Sequence, residues 1–491
     1  MSKATITATT AGNKRRPWPL YLALAVALIA WCALDVQRRG RVDPDKPSVH
    51  KTDFTAYTIA GAAFFDGRDP YEVTNIRGWG YCYPPLFAML VSPLDALDPR
   101  WQVSIWFFIS VAVVAGLYHE GARLFKTFAA LAGYQPGDID FPRWIAWAAL
   151  ALTALPVMNC LQRGQVDVLK LYLLLLGIRL SITGATWRAW LAGGVAMAAA
   201  IVLKVTPALP VAFVLFVLAS RLLFARSTVG DRRRASTTFV GVAAGGVTFA
   251  LLVPAMLVGW QANLGYLDRF YHDKLTKAND HFESDKTGNT RSYRNQSFSN
   301  AVIRLGDFIG YEFLGGADDR LIDREWRDAP PMVMDDPGVG QVLLVARAAA
   351  VALLLLAGFL AVKRGDPLGQ AAAIGLACAG SLVVSPISRG YYHTELLPGV
   401  LLLPLWLLSQ NMRRAAYWMA CVPVALVMAH YLALPITGRL GLLGIGTATW
   451  FATGLTMIAV GGRLTTMHDK HVPAPKVRRQ LHRAESVQAG A

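Results

Sequence analysis

The 491-residue chain reads as an all-α polytopic integral membrane protein with about twelve transmembrane helices. Three observations predict this. Apolar residues make up 54% of the chain and charged residues only 16%, so a water-soluble fold would leave far too much apolar surface uncovered. Runs of mostly apolar residues recur along its whole length, and Lys and Arg collect between them and in the two tails.

A crossing of the hydrocarbon core needs roughly 20 mostly apolar residues. Windows around 18–36, 101–118, 143–158, 166–182, 188–203, 207–224, 237–258, 341–362, 368–385, 394–410, 415–434 and 442–461 qualify. The first follows Lys14, Arg15 and Arg16 in the manner of a secretory signal, but Cys32-Ala33-Leu34-Asp35 is a poor cleavage site and further runs follow, which makes it a retained anchor. Residues 83–95 carry Pro84, Pro85 and Pro93 in a short stretch, which suits a re-entrant or interfacial piece and not a crossing. Without Ser-, Gly- or Pro-rich linkers or short repeats, the chain divides into a cytoplasmic tail 1–17, one membrane domain 18–462, and a basic cytoplasmic tail 463–491.

Lys and Arg mark cytoplasmic loops. Here the marks are the N-terminus, Arg226 with Arg232-Arg233-Arg234, Lys363-Arg364, Arg413-Arg414, and the tail with Lys476, Arg478 and Arg479. Alternation through twelve spans puts all five inside, provided 83–95 does not cross; Arg38, Arg39 and Arg41 oppose the assignment and are outvoted. Membrane orientation therefore accounts for the net charge of +16. No basic recognition helix or aromatic-interleaved surface points to nucleic acid.

The outer, periplasmic or extracytoplasmic side of the cytoplasmic (inner) membrane then receives the first outer loop 37–82, Asn159–Asp167, Lys204–Pro207, the long outer loop 259–340 and Ser385–His393. The 259–340 segment mixes both charge signs with Trp, Tyr and Phe, as a partly folded loop or cap would. Five Cys are scattered without metal-ligand spacing; Cys82 and Cys160 could both face outside and pair, or serve singly in packing.

Within these outer segments lie the candidate site residues. Asp53 precedes Phe54, Tyr57, Ala60, Gly61 and Phe64 at helical spacing, which predicts an amphipathic helix lying in the interface, with Thr52 or Asp53 as its cap or Asp53 as a catalytic carboxylate. Asp66-Gly67-Arg68-Asp69-Pro70-Tyr71 and Tyr81-Cys82-Tyr83-Pro84-Pro85 suit turns that hold aromatic rings at headgroup depth. Asn159, Arg163, Gln165 and Asp167 place amides, a cation and a carboxylate between two apolar runs, where unpaired polar groups are expensive; substrate hydroxyls and helix capping compete as explanations. Lys204 ends a span, either snorkelling to the interface or meeting a phosphate. Arg294, Asn295, Gln296 and Ser297, with Asn300 and Arg304, offer donors for phosphate or sugar oxygens, or a solvated loop face. Arg389, His393 and Glu395 meet at the mouth of a span.

In these residues the chain resembles glycosyltransferase family 87 of the GT-C superfamily, which includes polyprenyl-phosphate-mannose-dependent phosphatidylinositol-mannoside mannosyltransferases. The carriers are Asp53, Gly67-x-Asp69-Pro70-Tyr71, Tyr83-Pro84-Pro85, Asn159 with Gly164-Gln165, Lys204 with Pro207, Asn295-Gln296-Ser297, and Ser385-Pro386 ahead of His393. One departure stands out: where the family commonly carries Trp and paired His after Ser-Pro, this chain has Ser388-Arg389-Gly390-Tyr391-Tyr392 and a single His393.

The resemblance implies a GT-C fold with an outer-face cavity, in which Asp53 as general base activates an acceptor hydroxyl. A hexose, mannose first among them, would pass from a polyprenyl-phosphate-linked donor to a lipid or glycan acceptor among the membrane lipids, with inversion. Tyr83, Asn159, Gln165, Lys204, Arg294, Asn295, Gln296, Arg389 and His393 would contact the substrates. Lys204, Arg294, Arg389 or His393 would hold the departing phosphate, so no metal or cofactor is called for. Rival readings are a lipid-linked substrate transporter or flippase, for which no inverted repeat is evident, a lipid-linked glycan ligase or polymerase, transfer of another sugar, and a plain membrane scaffold.

Overall fold

A computed structural model describes residues 18–224, 228–276, 295–308 and 337–468. Arg226, Arg294, the tail 1–17, residues 469–491 of the basic tail, and 277–294 and 309–336 of the long loop lie outside the described residues. Among the described residues the chain is helical apart from connections and one isolated antiparallel bridge between Thr74 and Gly80.

A helix occupies each of the expected windows. In chain order these are α1 (Trp18–Arg39), α4 (Pro99–Leu131), α5 (Arg143–Arg163), α6 (Asp167–Thr183), α7 (Trp187–Leu203), α8 (Ala208–Phe224) and α9 (Val229–Gly246), the last running through a π turn into α10 (Val253–Val258). They continue with α13 (Pro337–Lys363), α14 (Pro367–Val384), α15 (Leu397–Ser409), α16 (Arg413–Leu432) and α18 (Leu442–His468). Between them lie the shorter α2 (Phe54–Asp66), α3 (Pro85–Val91), α11 (Trp260–Arg269), α12 (Phe298–Phe308) and α17 (Leu434–Arg439). Among the described residues, seven helices are long and apolar enough to cross a membrane by length and composition. Large apolar residues such as Trp31, Trp147, Met256, Val345 and Trp418 stand exposed on the helix surfaces, as expected where the surrounding solvent is lipid. The chain is thus an all-α polytopic membrane protein.

Local chemistry sets the helix ends. Asp98 caps α4 by accepting from Arg100 N at 2.9 Å, with Pro99 at the first helical position. Thr228 and Asp231 form a reciprocal capping box at the start of α9. Asp366 caps α14 at Gly369 N (2.8 Å) and also accepts from the Trp406 indole (2.8 Å), tying α14 to α15 at one end of the bundle. α7 and α9 cross closely because Gly194 and Gly241 present bare backbone: a Cβ on either would lie 2.4 Å from a carbonyl oxygen of the other helix.

Residues 83–95 form α3 and the 3-10 turn Ser92–Ala96, twelve residues with a rise of roughly 20 Å, short of the roughly 30 Å hydrocarbon core. α2 departs from the amphipathic interfacial helix expected for it. From Phe54 to Phe64 nearly every side chain is buried, not one face only. It is enclosed: Gly61 crosses α3 so tightly that a Cβ would meet Ala88 O at 2.3 Å, Phe54 stacks on Trp106 of α4 at 5.1 Å, and Thr58 donates to Gln102 at 2.6 Å. α11 in turn lies over the loop after α2, with Tyr266 edge-on to Phe64 (4.7 Å) and Arg269 ion-paired to Asp69.

Candidate active site

The helix end at α5 supplies the first part of the site. Gly164 takes a left-handed conformation (φ 69°), and its N–H returns to Leu161 O at 3.2 Å, terminating α5. The tight turn leaves Arg163 and Gln165 on one side of the chain. The Arg163 guanidinium donates from Nε to Asp53 Oδ2 at 2.8 Å and from Nη2 to Oδ1 at 2.9 Å, while Gln165 Nε2 also donates to Oδ2. The backbones join as well: Asp53 N and the Thr52 hydroxyl both donate to Arg163 O, at 2.8 and 3.1 Å. A side chain on Gly164 would put Cβ 2.7 Å from Phe54 Cβ, so the approach itself demands glycine.

Asp53 occupies the position before α2 but its carboxylate makes no cap bond; Thr52 Oγ1 accepts from Phe54 N at 3.2 Å instead. That frees the carboxylate to face Arg163 and Gln165. Tyr57 and Tyr83 donate to Gln165 Oε1 at 3.0 and 3.3 Å. Burial pushes both phenols well above the ordinary tyrosine value, so they remain protonated donors, which fixes the Gln165 amide with its NH2 toward Asp53. Trp79 and Tyr391 lie over the Arg163 guanidinium at 5.2 and 5.8 Å.

Lys204 follows α7 and carries the second part. Its ammonium donates to both oxygens of Asp167, at 3.0 and 2.9 Å, and sits 3.9 Å from the Tyr392 ring, 4.8 Å from Tyr83 and 5.8 Å from Tyr391. Asp167 also accepts from Lys170 at 2.8 Å; Lys170 in turn meets Glu395 and donates to Thr206 Oγ1 at 2.8 Å. Asp167 and Lys170 are fully sealed from solvent. Two ammoniums alternating with two carboxylates give a neutral chain of ion pairs, the arrangement in which buried charge is tolerable. Tyr83 and Tyr391 each touch both parts, so carboxylate site and lysine site adjoin.

The third part is the segment between α14 and α15. Asn295 Oδ1 accepts from Ser388 N (3.0 Å) and Ser297 N (3.1 Å), its Nδ2 donates to Pro386 O (3.3 Å), and Gln296 N donates to Ser388 O at 2.6 Å. Gln296 Nε2 donates to Gly438 O at 3.0 Å. These two residues, expected to face phosphate or sugar, instead point inward and lock the 385–388 loop, because a buried loop must pair its backbone groups. Arg389 is half-buried, and its carbonyl accepts from His393 Nδ1 at 3.2 Å. His393 is fully buried, and burial, followed by the neighbouring His430, holds its pKa down to about 3. The neutral ring therefore carries its hydrogen on Nδ1 and leaves Nε2 as an acceptor.

The structure thus gathers Asp53, Tyr83, Gln165, Lys204, Arg389 and His393 at one end of the bundle. Asn159, half-buried, lies one turn before Arg163 on the same helix face; Arg294 lies outside the described residues. The sequence pointed to Arg163, Asp167 and Glu395 as polar residues and to Tyr83 as a substrate contact, but not to Lys170, to the bond of Tyr57 with Gln165, or to Tyr391 and Tyr392 beside Lys204. Lys170 had a readable signal, an ionisable residue inside an apolar run; Tyr391 and Tyr392 had none that tied them to Lys204. All five cysteines are unpaired, with Cys82 exposed and Cys160 buried.

The model of glycosyltransferase family 87 matches residues 81–386, more than half of the chain, beginning after Asp53 and ending before His393. A curated relative from Mycobacterium tuberculosis (strain CDC 1551 / Oshkosh), a polyprenol-phosphate-mannose-dependent alpha-(1-2)-phosphatidylinositol pentamannoside mannosyltransferase, is 25% identical over 329 residues. That similarity covers 67% of this chain and 58% of the relative's length. The matched segment holds the Arg163-Gly164-Gln165 turn and Lys204, Asp167 and Lys170 of the lysine–carboxylate chain but not Glu395, and on that extent the chain belongs to glycosyltransferase family 87.

Proposed function

We propose that this protein is a membrane glycosyltransferase that moves a hexose, mannose in the first instance, from a polyprenyl-phosphate donor to a lipid or glycan acceptor. The observation that carries the reading is the Asp53 carboxylate, clamped by Arg163 and Gln165 beside the aromatic-caged Lys204. The relative's donor and acceptor support the substrate classes.

A hydroxyl attacking an anomeric carbon must lose its proton as the new bond forms, and a positioned carboxylate accepts it. Among the described residues Oδ2 accepts from Arg163 and Gln165, whereas Oδ1 accepts from Arg163 alone, so Oδ1 keeps a lone pair for that proton. The bidentate guanidinium fixes the carboxylate plane. Breaking the anomeric C–O bond leaves its electron pair on the lipid phosphate. Lys204 and Arg389 supply positive charge there; two of the three Lys204 N–H donors are engaged by Asp167, and the third has no acceptor among the described residues. Attack opposite the phosphate inverts the anomeric centre; a retained configuration in the product would defeat this geometry.

The site end of the bundle faces the extracytoplasmic side in this reading, since α1, the first of twelve crossings, leaves a basic N-terminus. Arg38, Arg39 and Arg41 oppose this orientation and are outnumbered by the other basic marks. The test incubates purified protein with labelled polyprenyl-phosphate mannose and native lipid extract, comparing wild type with Asp53→Asn. The expected loss is about 100-fold or more. No product from either protein across several donor sugars would sink the enzyme reading; equal product would sink only Asp53 as base.

A further inference from the structure

Three buried polar atoms beside the site have no hydrogen-bond partner among the described residues: His393 Nε2, His430 Nδ1 and Tyr431 Oη. They come from two elements, the 3-10 turn Gly390–Leu396 and the last turn of α16. The elements meet at Gly390, where a Cβ would lie 2.9 Å from Tyr431 Oη and 3.3 Å from His430 Nε2. The His430 and Tyr431 rings are 5.6 Å apart, His430 is within electrostatic reach of His393, and Tyr431 is within reach of Arg163, which holds Asp53. His393 is fully buried and His430 is 4% exposed.

Buried polar atoms are nearly always paired, so three orphans on two adjoining elements call for a ligand or a purpose. Their chemistry narrows the class. His393 spends its N–H on the Arg389 carbonyl and presents a bare acceptor, while the Tyr431 hydroxyl offers a donor. A fully ionised phosphate has acceptors only and cannot satisfy His393; an alkyl chain satisfies neither. Hydroxyls on neighbouring ring carbons donate and accept side by side.

We infer that His393, His430 and Tyr431 form a hydroxyl-recognition subsite for a polyol ring, placed next to the Asp53–Arg163 pair. The inference rests on the proposed glycosyl transfer and deepens it. The ring is either the hexose of the donor or the sugar or cyclitol of the acceptor. A site built to bond hydroxyls rejects analogues that lack them, because its own polar atoms are then left unpaired, so this subsite sets specificity.

Binding to the purified full chain in detergent, measured without turnover, tests it. The probes are polyprenyl-phosphate mannose against bare polyprenyl phosphate, and phosphatidylinositol against phosphatidic acid; the proteins are wild type, Tyr431→Phe and His430→Phe. Both variants are expected to weaken one ring-bearing probe about tenfold or more, with its ringless control changed less than about twofold. Loss confined to the mannosyl probe assigns the subsite to the donor, and loss confined to phosphatidylinositol assigns it to the acceptor. Tyr431→Phe should not lower the melting temperature of the free protein, since it deletes an unpartnered hydroxyl. Unchanged binding in both variants, equal weakening of ring-bearing and ringless probes, a lowered melting temperature for Tyr431→Phe, or a wild type indifferent to the ring would each overturn the subsite. Wild type that discriminates the ring but transfers no sugar would overturn the transferase reading and leave the subsite; transfer with unaffected variant binding would do the reverse.

Discussion

Replacing Asp167 by Asn tests whether the buried lysine–carboxylate chain acts as one electrostatic unit. Asp167 accepts three charge-assisted bonds, from Lys170 at 2.8 Å and from Lys204 at 3.0 and 2.9 Å. At roughly 1.5–3 kcal/mol each, these set an upper limit near 9 kcal/mol. Asn keeps one acceptor oxygen, so the realised cost is smaller, but its NH2 turns a donor toward an ammonium, and the four-residue chain acquires an unbalanced positive charge. Breaking a buried pair in this way costs about 3–5 kcal/mol, a large share of a typical stability of roughly 5–15 kcal/mol. Adding Lys204→Met removes the surplus cation and leaves Lys170 with Glu395. The double variant should therefore be more stable than Asp167→Asn alone, by about 1 kcal/mol or more. Thermal unfolding of the detergent-purified proteins measures both. An Asp167→Asn cost below about 1 kcal/mol, or strict additivity of the two changes, would refute the electrostatic account.

Four further outcomes follow from the same geometry. Gly164→Ala forces a left-handed alanine and a Cβ 2.7 Å from Phe54 Cβ; a loss of about 2–4 kcal/mol, with sugar transfer falling further than stability explains, is expected from unfolding and transfer assays. Lys204→Met should raise KM for the polyprenyl-phosphate donor more than it lowers kcat, and an unchanged KM would remove Lys204 from phosphate binding. His393, held down to about 3 against an ordinary 6.5, contributes stability that is complete above pH 6.5 and declines as pH falls toward the folded value, because the unfolded chain takes up the proton first. The slope reaches at most about 1.4 kcal/mol per pH unit, and His393→Gln should flatten it in melting curves between pH 7.5 and 5.5. Asn295→Ala removes the side chain that binds Ser388 N and Pro386 O; faster proteolysis or hydrogen exchange at 385–388 is the expected sign.

The departures from sequence reasoning share a cause. α2 reads as amphipathic when its neighbours are unknown, yet α3, α4 and α11 enclose it, and no periodicity announces which neighbours a helix will have. Asn295 and Gln296 are good donors on any reading; whether they serve a substrate or a buried loop depends on a backbone more than 90 residues away. Arg163 stood in plain view within a polar run, but its carboxylate partner lies 110 positions earlier.

By itself the sequence determined the helices and the collection of polar residues at span ends, since a chain in lipid must satisfy its backbone locally and can place charge cheaply only near the interface. It also determined helix ends: the Gly164 stop, the Asp366 start and the Thr228–Asp231 box act over a few residues. Tertiary structure decided which charges meet. Asp53 joins Arg163 and Lys170 joins Glu395 across 110 and 225 positions, and such pairings follow from helix packing, to which the spacing of the partners along the chain carries no guide.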